Sequence, residues 1–203
     1  MLLAGAAAAQ PASPWMDPTT EERTVLESLK RRIERFPKAV PAKNPVSDAL
    51  ASLNAPVVVE FPCGSVSVET RLKAWRAVEE KGGWYEWGGV SGDDSEDAKG
   101  KRRAKFINVL TLDAKAIAAD DARGLRPRVD NATLLYHELL HGQLLIDAMK
   151  ADKKWRDAFC AKDAKDFDFA PADLADPHKV IPALETAHRD ALWALVKDLK
   201  DPF

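Results

Sequence analysis

Thr133-Leu134-Leu135-Tyr136-His137-Glu138-Leu139-Leu140-His141 places two histidines four residues apart, with a glutamate beside the first, inside an apolar run. On a helix, residues four apart lie one turn above each other. That spacing lets two imidazoles grip one zinc ion and brings Glu138 within reach of a metal-bound water. The surroundings predict a helix over 131 to 150: Pro127 precedes it, Asp130 and Asn131 offer N-caps, and only Gly142 weakens it. At about 100° per residue, His141 falls about 40° from His137, on the face that also carries Leu134, Leu144, Leu145 and Ala148. Leu135, Leu139, Ile146 and Met149 cover the other side, so the helix is apolar nearly all round and reads as buried. Buried imidazoles need partners, which a metal supplies; the alternative is a pair of core histidines satisfied by carbonyls or carboxylates.

The motif resembles the zincin metallopeptidases, the group defined by a zinc-binding helix of this pattern, over residues 137 to 141 and their helix. The resemblance implies a zincin-like fold, with a small sheet packed against the active-site helix and a following metal-bearing helix. It further implies Zn(2+) held by His137 and His141, Glu138 as general base, and a peptide or protein substrate. An edge strand beside the zinc helix, where a peptide adds as a further strand, would come from 84–90 or 106–112.

Catalytic zinc usually takes three protein ligands and leaves a fourth position for water. The metzincin pattern asks for a glycine where Leu144 stands and a ligand where Asp147 stands; without that glycine the helix carries Asp147 to another face. A second helix is expected from Pro182 to about 199, with Leu184, His188, Ala191, Leu192, Leu195 and Leu199 as its apolar stripe and Glu185 on the edge. In the gluzincin branch such a helix supplies a glutamate, which makes Glu185 the implied third ligand. The branch often has an acidic residue four positions later, where this chain has Arg189, with Asp190 next. His188 and the loop residue His178 remain alternative ligands. Tyr136, Tyr85, His178 and His188 are candidates to stabilise an oxyanion. Glu185 could instead pair with Arg189, and His188 could be a core residue.

Two other readings use the same residues. Glu138/His141 and Glu185/His188 form two E-x-x-H motifs, as in ferritin-like di-iron carboxylate bundles, with Glu27 or Glu34 and Glu69 or Glu79 to complete the set. That reading leaves His137 without a role and fits the strand-like segments badly. The other is a non-catalytic metal-binding module.

At 203 residues, the chain is long enough for one domain with a proper core. A net charge of -2 gives no electrostatic footprint for nucleic acid, and no stretch reaches the length of a membrane span. The basic run 99–105 follows the acidic 93–97 and reads as a solvated loop of mixed sign. Residues 1–18 read as a signal-peptide remnant and irregular arm, with an A-x-A-like site before Gln10, which points to an exported protein; 19–203 then form the domain. Cys63 and Cys160 fit one disulfide in such a compartment.

Elsewhere, Thr19 and Glu22 offer a capping box for a helix to about Phe36, and a short helix fits 46–53. Val57–Phe61 reads as a strand closed by Pro62-Cys63-Gly64, and helices are expected over 68–81, with Leu72, Trp75 and Val78 inward, and over 113–123. Residues 84–87 and 106–110 are expected to pair as strands. The six tryptophans read as core or rim packing. Helices, a small sheet and two further helices make an α+β pattern.

Overall fold

Val66 and Val68 alternate with Ser65 and Ser67, and that period of two organises the sheet of the computed structural model, which describes residues 15–35, 46–75, 83–86, 95–96, 100–161, 177–199 and 203. The elements run β1 (Trp15–Met16), α1 (Thr20–Arg35), α2 (Ser47–Ser52), β2 (Val57–Phe61), β3 (Gly64–Trp75), β4 (Gly83–Glu86), β5 (Ser95–Glu96), β6 (Arg102–Leu112), α3 (Ala114–Asp121), α4 (Leu125–Ala151), α5 (Lys153–Cys160) and α6 (Pro177–Val196). The architecture is α+β. β3 and β6 are the central pair, parallel from Gly64↔Arg102 to Ala74↔Leu112. β1 and β2 share the outer edge of β3, and β4 and β5 share the outer edge of β6, all four antiparallel.

The helix expected over 68–81 is a strand as far as Trp75; 76–81 lie outside the described residues. Its Leu72-Trp75-Val78 spacing mimics a helix, but Val66, Val68, Thr70 and Ala74 are buried at strand spacing, and pairing on both edges fixes the outcome. Expected mixed-sign loop residues 102–105 likewise begin β6, where Lys105 meets Glu69 at 2.8 Å and Arg102 donates to the Phe159 carbonyl at 2.6 Å. Pairing of 84–86 with β6 is as expected. Gly64 closes the β2–β3 hairpin, and only glycine fits, because a Cβ there would collide with the Arg102 carbonyl.

Apolar α4 runs between two cores. Its first half packs with Leu29, Ile33, Leu110, Leu112, Ile181 and Leu192; Leu145, Ile146 and Met149 pack with Val66, Phe106, Trp155 and Phe159. A helix so enclosed is apolar on every side, as read from its sequence. The capping box of α1 forms, with Thr19 N–H to Glu22 at 2.8 Å and Glu22 N–H to Thr19 Oγ1 at 3.3 Å.

Asp130 and Asn131 do not cap α4, which starts at Leu125, with Pro127 tolerated in the first turn. Asn131 instead donates to Asp121 at 2.9 Å and to the Ile117 carbonyl at 3.2 Å, while Arg32 from α1 clasps Asp121 through both guanidinium NH2 groups. This buried knot ties α1, α3 and α4 together. α6 starts at Pro177 rather than Pro182, which lies inside the helix, and ends at Val196 rather than about 199. α5, unanticipated, is capped by Asp152 and stacks Trp155 on Phe159.

Cys63, in the β2–β3 turn, is bonded to Cys160 at the end of α5, with Cα atoms 5.5 Å apart. The bridge joins the sheet to the segment after α4 across a separation of 97 residues. Among the described residues no helix is long and apolar enough to cross a membrane. Residues 1–14, the expected signal-like segment and part of the arm, lie outside them.

Candidate metal centre

His137 and His141 lie one turn apart on α4, their ring centroids 5.2 Å apart and their planes tilted by 60°. His141 and Glu138 are buried, while His137 keeps a quarter of its side chain exposed (25%). α6 packs beside α4 and delivers Glu185, whose Oε2 lies 2.9 Å from His137 Nδ1. That contact occupies one ring nitrogen and leaves Nε2 as the nitrogen open to a metal. Ligating histidines are characteristically braced in this way, the second ring nitrogen bonded to a carboxylate that fixes tautomer and orientation.

The donor chemistry fits zinc: two imidazoles at one-turn spacing, one of them carboxylate-braced. Among the described residues, no group of three or more His, Cys, Asp or Glu side chains converges in a way that could hold a metal ion; the two histidines and the Glu185 carboxylate are what the geometry brings together. Glu185 meets His137 at Nδ1, the position of an orienting carboxylate.

Burial, and secondarily the Glu185 charge, push the Glu138 carboxyl up to about 7. A carboxyl that exchanges its proton near neutrality suits general acid–base work. A cavity of about 470 Å³ opens beside it, lined by Asp130, Thr133, Leu134, His137, Glu138, Glu185 and Arg189.

The remaining sequence candidates go elsewhere. His188 sits at the centre of the α6 stripe, buried, with its ring stacked on Tyr136 at 3.8 Å and 13°. Burial holds the His188 imidazole down at about 4 and pushes the Tyr136 hydroxyl up to about 12. Tyr136 belongs to the buried core, and neither ring lines the cavity beside His137. Asp147 accepts from Gln143 at 2.8 Å, in the cluster where Gln143 caps the start of α2 through the Asp48 and Ala49 N–H groups. His178 lies in the first turn of α6 and not in a loop; its side chain, like that of Tyr85, is outside the described residues.

Among the described residues, the carboxylates proposed for a di-iron set are not brought together. Glu69 stands on a strand, bonded to Arg71 at 2.7 Å and Lys105 at 2.8 Å, which hold its carboxyl down at about 2. Glu79 lies outside the described residues, Glu27 pairs with Lys30 and Glu34 with Asn54 on the surface.

The sequence reading missed Thr133 and Leu134 as cavity walls and gave Arg189 only a surface pairing role. Both wall residues lie within a turn of His137, so the helical period already placed them near it. Comparison with protein-family models, curated proteins and solved structures finds no match for this chain.

Proposed function

We propose that the chain is a zinc-dependent, zincin-like metallopeptidase whose metal is held by His137 and His141. The observation that carries this is the His137 Nδ1–Glu185 contact: within an H-E-x-x-H helix, it orients the first histidine as a ligand is oriented. Zinc, when bound, supplies Lewis-acid polarisation of the scissile carbonyl and of water.

Every other part belongs to the chain. His137 and His141 would hold the ion. Glu185 fixes the His137 ring, and a shift of its carboxylate onto the metal would make it the third ligand that the gluzincin resemblance implies. Glu138, buried at the cavity wall, accepts a proton from the attacking water and returns it to the leaving amine. Peptide would approach along the cavity between α4 and α6. The Cys63–Cys160 bond supports an exported, oxidising location.

Glu138→Gln tests the assignment. Hydrolysis of a defined peptide library should fall by about 10²- to 10⁴-fold while zinc content is unchanged. Hydrolysis retained in this variant would contradict the role given to Glu138.

A further inference from the structure

The cavity beside His137 and Glu138 is lined by three carboxylates and a single guanidinium, Arg189. Asp130 is engaged by Arg126 at 3.4 Å on the rim. Glu185 is engaged by His137 at 2.9 Å. Arg189 lies one turn after Glu185 on α6, the spacing at which a surface ion pair would form. That pair is not made, because Glu185 turns to the histidine. Arg189 is left half-buried in the cavity wall, with no hydrogen bond or ion pair to any described residue.

We propose that Arg189 is the specificity residue of this site and binds a carboxylate carried by the peptide substrate. The inference rests on the peptidase reading and adds its substrate class. A guanidinium presents a planar fork that takes a carboxylate through two parallel N–H···O bonds, with more geometric selectivity than an ammonium offers. The cavity volume of about 470 Å³ lies in the range that takes a small ligand or side chain. Leu134 gives that space an apolar wall, and Thr133, whose hydroxyl donates to the Val129 carbonyl at 2.9 Å, lines it beside Leu134. A cation on one wall, with the neighbouring acids engaged or buried, selects for a negative ligand and leaves a neutral one without a partner. Substrate carboxylate has two sources, the free C-terminus and an Asp or Glu side chain.

The test uses four matched decapeptide libraries: free or amidated at the C-terminus, and containing Glu or Gln. Binding is measured by fluorescence polarisation to the zinc-loaded full chain carrying Glu138→Gln, with and without Arg189→Gln, and with Arg189→Lys. The expected result is about 10- to 100-fold tighter binding of carboxylate-bearing libraries, abolished by Arg189→Gln and partly restored by Arg189→Lys. Preference for the free terminus over its amide names the C-terminal carboxylate; preference for Glu over Gln names the side chain. Equal binding of all four libraries, a preference that survives Arg189→Gln, or no binding at all overturns the proposal. Wild-type hydrolysis of the same libraries separates the two claims. Cleavage without carboxylate preference sinks the role of Arg189 alone, whereas Arg189-dependent binding without cleavage sinks the peptidase reading and leaves Arg189 as a binding residue.

Discussion

His188→Phe should remove a specific part of the chain's acid sensitivity. His188 is 4% exposed, and burial lowers its pKa from 6.5 to about 4. The folded state therefore binds fewer protons than the unfolded chain between those values. Stability is fully present above the unfolded pKa and falls as pH drops from about 6.5 to about 4, where the folded imidazole also takes up its proton. A shift of this size corresponds to about 3 kcal/mol at the acid limit, and about 2 kcal/mol of it is lost between about pH 7 and about pH 5. Phenylalanine keeps a flat ring against Tyr136 and cannot titrate. The assay is urea unfolding at the two pH values on chelator-treated wild type and variant, so that other titrating groups cancel in the difference of differences. Wild type should lose about 2 kcal/mol more than His188→Phe, equivalent to about 4–8 °C in Tm for a chain of this size. Equal pH dependence of the two proteins would refute the claim that His188 is held neutral by burial.

Two further perturbations test the scaffold. Reducing or replacing the Cys63–Cys160 bridge (Cys63→Ser with Cys160→Ser) reopens a loop of 97 residues' separation and should cost about 4 kcal/mol, read by urea unfolding with and without reductant. Asp121→Ala strands the Arg32 guanidinium, 7% exposed, and should cost about 3–5 kcal/mol by the same assay, whereas Arg32→Met combined with Asp121→Leu should recover most of that loss.

The helix that carries H-E-x-x-H was legible because its apolar residues recur at helical spacing; the Thr19/Glu22 box and the Val57–Phe61 run were legible for the same local reasons. β3 was not, because Leu72 and Trp75 lie at a spacing that serves either structure, and its central place depends on parallel pairing with β6, a contact no local pattern reports. The start of α4 was displaced because Asn131, a strong capping residue by itself, spends its amide on Asp121. Pro182 suggested a helix start, but α6 begins earlier and tolerates the proline inside. Within the candidate site, the one-turn spacing of His137 and His141 and the burial of Glu138 were legible from the motif and its apolar helix. The roles of Glu185 and Arg189 depend on which way one carboxylate turns, and only the packing of α6 on α4 decides that.

Metal content tests the central claim most directly. Elemental analysis of the full chain, wild type beside His137→Ala, His141→Ala and Glu185→Gln, should give one zinc per wild-type chain, lost with either histidine and weakened by about 10- to 100-fold in affinity when the bracing carboxylate is replaced. Two irons per chain, no tightly held metal, or zinc retained in His137→Ala or in His141→Ala would contradict the account.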